Sequence, residues 1–264
     1  WDGSFAHQGP PENGKDSYSS WDCTGAYLLA YAMPLKKLRL TGKEGSVARQ
    51  MDAQEARAIV RDGRGWTNKD RNGFYDSLDE SELLARLESW SPIVRERTAA
   101  ALARRKELPL QAISQRLHHD RLEARYGACQ AIIALKGRGE PAVDELIPLL
   151  SHGDLWLRIK AAEALAAIGN GAMRAMPRLL ELLAQQDAEK DPRGMQQRYL
   201  SFALFDRGGM LNRSFAGVDR EALRNAIRAG LKNQDGRARG SIGSAYRQLS
   251  LDDIRPLLPS IHEA

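Results

Sequence analysis

The sequence is short of most features that would assign it a chemistry. It has two cysteines, Cys23 and Cys129, far apart along 264 residues. Two such thiols do not make the disulfide framework that staples small secreted domains. Aromatic residues are 6% of the chain, whereas alanine and leucine are frequent. That balance favours helices packed on helices over a β-sandwich. No apolar run approaches the roughly 18 residues that cross a bilayer as a helix, and no basic-then-apolar leader stands at the start. A Gly-rich phosphate loop, a nucleophile elbow and a paired-carboxylate motif are all missing, so no catalytic residue and no cofactor is assigned. Neither sign of charge dominates. Thirty-nine Lys and Arg stand against 34 Asp and Glu, a net charge of +5 and a pI near 9.3. A mild basic excess permits a polyanionic partner without requiring one, and opposite charges interleaved along helices mark solvated faces.

What the sequence does have is a repeat. From Arg158, small residues fall at +3, +4 and +6 (Ala161, Ala162, Ala164) and large apolar ones at +7 and +10 (Leu165, Ile168). Arg95 is followed in the same register by Thr98, Ala99, Ala101 and Leu102, and Arg125 by Ala128, Cys129, Ala131, Ile132 and Leu135. Arg239 leads Ile242, Gly243, Ala245, Tyr246 and Leu249, and a fourth copy is anchored at Gln197 with Leu200, Ser201, Ala203 and Leu204. Each copy is an amphipathic helix whose small residues let a neighbour approach closely. Before it comes a leucine-rich helix, clearest at 146–150, 176–180 and 254–258, with Pro148, Pro177 and Pro256 expected to bend it. Asp120, Asp154 and Asp235 are expected to cap the second helices, and Gly137, Gly169 and Gly208 to end them.

The anchors step by 30, 33, 39 and 42 residues, with insertions near 187–194 and 208–218. Helix, turn, helix at such a period describes a stacked solenoid, because one hairpin cannot bury its apolar face alone. These residues resemble the HEAT-like family, especially its short-repeat branch. The resemblance implies an all-α, right-handed α-α superhelix of about five short hairpins plus a terminal helix, over residues 79–264.

The N-terminal stretch carries no repeat. Trp1-Asp2-Gly3-Ser4-Phe5 is followed by a polar loop to Ser20, then by an apolar helix over 22–33 that Pro34 stops. A further helix is expected over 51–61 and a Gly/Asn/Asp-rich loop over 63–79. The Asp-Gly-Ser-aromatic start resembles the last turn of an α/α toroid of the terpenoid-cyclase and prenyltransferase kind. A bacterial family joins such a toroid to HEAT-like repeats. That resemblance implies a chain continuing upstream of Trp1, with 1–45 as the remnant of the toroid and 46–78 as a linker with one helix and a polar loop.

Several residue groups invite a sharper reading. His7, Asp22 and Cys23 have zinc-ligand chemistry, and the prenyltransferases that share the toroid use Asp, Cys and His. Adjacent helix positions point about 100° apart, however, so Asp22 reads more simply as an N-cap and Cys23 as a small buried residue. His118-His119 and His262-Glu263 resemble, incompletely, the His-Glu pairs of a di-iron HEAT-like family, and are set aside because only one His-Glu pair exists. Trp66, Trp90 and Trp156 could stack bases, as in HEAT-like DNA glycosylases, but no residue matches their catalytic Asp, and packing is the simpler role.

The series Arg95, Arg125, Arg158 and Arg239, with Asp154 and Asp235, is read as a structural ladder. An Arg four or five residues after an Asp reaches that Asp or the next repeat's turn. The expectation is a non-enzymatic scaffold binding a protein or peptide partner, or an upstream domain of its own chain. Nucleic acid is the alternative, disfavoured by Glu96, Glu123 and Glu163 on the same helices. The chain is expected to be soluble, without a targeting segment or metal.

Overall fold

The computed structural model describes residues 68–264 apart from 186–188, 190 and 213. His7, Asp22, Cys23, Trp66 and the helices expected over 22–33 and 51–61 lie outside the described residues. Every regular element among the described residues is helical, and none of these helices is long and apolar enough to cross a membrane. The chain divides into two units, with the boundary between Ala101 and Leu102.

In the first unit, α1 (Asn68–Ser77) is followed by α2 (Glu80–Arg86) and by α3 (Pro92–Arg104), which begins there. The helix α1 falls where a loop was expected. Its polar composition hides an apolar edge. Tyr75 and Leu78 are buried, as are Leu83 and Leu87 beyond them. Asp79 caps α2 reciprocally with Glu82: the Glu82 N–H donates to Asp79 Oδ1 at 2.8 Å, and the Asp79 N–H donates to Glu82 Oε2 at 3.0 Å.

The second unit runs α4 (Leu110–Gln115), α5 (Leu122–Leu135), α6 (Val143–Leu149), α7 (Leu155–Ile168), α8 (Met176–Ala184), α9 (Met195–Phe205), α10 (Arg220–Gly230), α11 (Gly236–Gly243), α12 (Leu251–Ile254) and α13 (Leu258–Glu263). The helices α5, α7, α9 and α11, the second helices of the hairpins, pack side by side in that order, and α8 packs on α10. This is the all-α, HEAT-like array the repeat predicts. Ala161, Ala162 and Ala164 of α7 are buried between neighbours, with Leu157, Leu165 and Ile168. The matching face of α5 buries Gly127, Ala128, Cys129, Ala131, Ile132 and Leu135. Each buried leucine or isoleucine adds about 1.5–3 kcal/mol, and small residues between them allow close helix contact.

Three local expectations change. Pro148 sits inside α6, but Pro177 occupies the first turn of α8, where its missing N–H has no helical partner to lose. Pro256 lies in the 3-10 turn Arg255–Leu257. Two first helices are each led in by a 3-10 turn, Lys136–Ala142 before α6 and Gly169–Ala175 before α8. The left-handed residue after α5 is Lys136, with φ 55°, and not Gly137. Counting from the anchors, Lys136 is the equivalent of Gly169 (φ 74°) and Gly208 (φ 97°). The N-cap of α5 is Arg121, without a side-chain cap bond, so Asp120 does not cap it. Asp154 and Asp235 do cap α7 and α11, accepting from Leu157 N and Arg237 N, both at 2.8 Å.

Candidate functional site

The turns that open the second helices share one hydrogen-bond arrangement. A guanidinium reaches back six residues to a carbonyl of the turn. Arg95 Nη1 donates to Ser89 O at 2.6 Å and Trp90 O at 3.0 Å. Arg158 Nη1 donates to His152 O at 2.8 Å and Gly153 O at 3.1 Å. Arg239 Nη1 donates to Asn233 O at 2.6 Å, and Arg125 Nε donates to His119 O. The arginines therefore bond the turn carbonyls of their own hairpin, not the preceding Asp. Two also cross to the next repeat: Arg158 Nε donates to Gln196 Oε1 at 2.7 Å, and Arg125 Nη1 lies 2.9 Å from His152 Nε2. The residue that supplies the carbonyl also folds its side chain onto a backbone N–H two residues on. Ser89 Oγ accepts from Ser91 N, His119 Nδ1 from Arg121 N, His152 Nδ1 from Asp154 N and Asn233 Oδ1 from Asp235 N. Such local bonds fix a turn in the way Asx and ST turns do.

Asp154 and Asp235 do more than cap. Tyr126 Oη donates to Asp154 Oδ1 at 2.5 Å, tying α5 to the start of α7. Asp235 Oδ2 pairs with Arg198 Nη1 at 2.8 Å, tying α9 to the start of α11. The Arg237 side chain and backbone N–H, with Arg198, hold the Asp235 carboxyl below its ordinary range.

The Gln197 repeat is built differently. Gln197 Nε2 donates to Leu183 O at 3.0 Å, and Gln197 Oε1 accepts from Asn233 Nδ2 at 2.9 Å. Six residues before it, Asp191 accepts from the backbone N–H of Met195 and Gln196, both at 2.7 Å, and of Gln197 at 3.4 Å. A carboxylate thus occupies the positive end of α9. Beside it lies a cleft of about 350 Å³, whose charged lining is Arg158, Arg178, Arg193, Lys232 and Asp191.

On the solvent side of α7 and α9, Trp156 is 47% exposed. Its ring meets Tyr199 edge-on at 6.0 Å, and Tyr199 meets Phe202 edge-on at 5.6 Å. The Arg198 guanidinium lies 5.5 Å from the Tyr199 ring centre and 5.4 Å from that of Phe202. Two neighbouring second helices thus present three aromatic rings and a cation together. Trp90, by contrast, stands in the turn before α3, where its carbonyl accepts from Arg95.

Among the described residues no three His, Cys, Asp or Glu side chains stand where they could hold a metal ion. His119 is committed to its turn, and His262 and Glu263 end α13. Cys129 is wholly buried, and that burial pushes its thiol up to about 12.

Sequence reasoning missed the acceptor six residues before each anchor, because Ser, His, Asp and Asn share only the ability to accept. It missed Tyr199 and Phe202 because their partner Trp156 belongs to another repeat.

Comparison with known proteins agrees with this geometry. No curated protein matches the chain. Residues 1–42 match a family model described as a domain of unknown function (DUF6288). They fall within the segment read as toroid-like, and neither match supports the toroid itself. Residues 110–193, from the start of α4 to the turn before α9, are similar to the HEAT repeats.

Proposed function

We propose that this chain is a protein-interaction module with no catalytic role of its own. The observation that carries the reading is the cluster of exposed Trp156 with half-buried Tyr199 and Phe202 on adjacent second helices, with Arg198 over two of the rings. An exposed aromatic side chain backed by packed rings is the usual kind of anchor in protein interfaces. The hydrogen-bonded turns support the same reading. They commit Arg95, Arg125, Arg158 and Arg239 to turn carbonyls, so the ladder holds the scaffold and presents α7 and α9 at a fixed spacing.

Charge on this face favours a protein over a nucleic acid. Lys160 pairs with Glu163 at 2.6 Å, and Arg121 lies 3.9 Å from Glu123, so no unbroken basic track follows the second helices.

A photo-crosslinking amino acid placed at Trp156 in the source cells tests the reading. The expected result is a discrete protein adduct, which Tyr199→Ala weakens. Loss of one aromatic anchor at such a site weakens binding by about 2 kcal/mol, or roughly thirtyfold. No adduct at Trp156, or adducts to nucleic acid alone, overturns it.

A further inference from the structure

We propose that the cleft beside the start of α9 receives an acidic, extended segment of a partner protein, with its carboxylates facing Arg193 and Lys232. This deepens the interaction-module reading and rests on it.

The charge of the cleft is one-sided in a chain whose charges otherwise interleave. Four cations line it and one carboxylate, Asp191. Asp191 is already engaged by three backbone N–H groups at the start of α9. Arg178 is held at 2.6 Å by Glu181 Oε2 and, through its other nitrogen, at 2.6 Å by Ser151 Oγ. Arg158 is buried and bonded to His152 O, Gly153 O and Gln196 Oε1, so it contributes its field more than a free donor. Arg193 and Lys232 are different. Both are exposed in the wall of the cleft, and neither pairs with a carboxylate among the described residues. Cations gathered in a concave site with low-dielectric walls attract an anion more strongly than the same cations scattered over a surface.

Shape and neutral chemistry select a peptide among anions. At about 350 Å³ the cleft admits a few side chains and not a duplex. Its wall also carries the amides Gln196 and Gln234. Gln196 Oε1 accepts from Arg158, and its amide N–H₂ has the chemistry to donate to acceptors such as peptide carbonyls. The cleft and the aromatic cluster share α9, where Gln196 of the cleft wall stands three residues before Tyr199. A segment lying over Tyr199 and running toward the N-terminal end of α9 would reach Arg193.

The test is fluorescence anisotropy on the whole chain with a labelled peptide of alternating Glu and Ser, a neutral Gln/Ser peptide and a single-stranded DNA of matched charge. The variants are Arg193→Glu/Lys232→Glu and, as a charge-matched control away from the cleft, Arg207→Glu/Arg247→Glu. The expected result at low salt is binding of the acidic peptide above both other probes, about tenfold weaker in the cleft variant and unchanged in the control. No binding of the acidic peptide, or equal loss in both variants, overturns the proposal. DNA bound as tightly as the peptide overturns it in favour of a polyanion track. Failure here leaves the Trp156 crosslink untouched, and failure of that crosslink with a normal peptide result removes the aromatic cluster as the module's anchor while leaving the cleft as a peptide contact.

Discussion

Replacing Arg158 by Ala tests whether the guanidinium-to-turn bonds hold the repeat together. Arg158 is only 5% exposed, and its side chain gives three hydrogen bonds to neutral acceptors, at 2.8, 3.1 and 2.7 Å. Truncation strips a donor from His152 O, Gly153 O and Gln196 Oε1. An acceptor left short of a partner costs on the order of 1 kcal/mol, so the upper figure is about 3 kcal/mol. The cleft beside Arg158 lets water replace part of what is lost, which lowers the figure to about 1.5–3 kcal/mol. For a chain of this size that is a fall in Tm of about 3–12 °C. Arg239 is half-buried and gives one such bond, to Asn233 O at 2.6 Å, so Arg239→Ala should cost about 1 kcal/mol. Arg158→Lys should recover little, because a single ammonium cannot serve acceptors on both branches of the fork. Thermal and urea unfolding followed by circular dichroism gives the ranking. A loss under about 0.5 kcal/mol for Arg158→Ala, or a larger loss for Arg239→Ala, would refute the argument that these bonds fasten the turns.

Other positions give independent checks. Lys136 holds φ 55°, where Gly169 and Gly208 stand at the equivalent place, so Lys136→Gly should raise stability by about 1 kcal/mol, read as a higher urea midpoint. In a Cys23→Ser chain, Cys129 should resist thiol reagents at pH 8 until denaturant opens the α5–α7 seam, because burial pushes its thiol up to about 12; rapid native labelling would contradict the packing. The Ser250 hydroxyl, then the Arg224 and Arg220 guanidiniums, hold the Asp253 carboxyl below its ordinary range. Its contribution is present above the unfolded value near pH 4 and is lost as pH falls through the lower folded value. Wild type should therefore lose more stability on acidification than Asp253→Asn, by urea midpoints across that window.

The array was legible because a helix that packs on two neighbours must place small residues at fixed offsets, and Ala161, Ala162 and Ala164 do so in a register other copies repeat. The ladder arginines were visible as types but not as bonds. Their acceptors are backbone carbonyls, which every residue has, so a sequence cannot mark them. The helix α1 was hidden because its burial rests on Tyr75 and on Leu78 just beyond its end, while its first six residues are Asn, Lys, Asp, Arg, Asn and Gly. Lys136 was hidden by the glycine next to it, which drew the left-handed position one residue too far. The aromatic cluster was half visible: Trp156 stands out in any reading, but its edge-on partner is a tyrosine one repeat away.

The closure between an anchor and the residue six before it has a consequence for how such an array changes length. In four of the hairpins, those of Arg95, Arg125, Arg158 and Arg239, the closure lies inside one turn, so the turn keeps its shape whatever the length of chain between turns. Spacings of 30, 33, 39 and 42 residues can then coexist in one chain, and where the added residues reach the turn itself, near 187–194, the guanidinium closure is replaced by Asp191 on the N–H groups of α9. The 3-10 turns after α5 and α7 are the natural seams, where repeats could be inserted, deleted or exchanged with each remaining hairpin keeping its own internal angle.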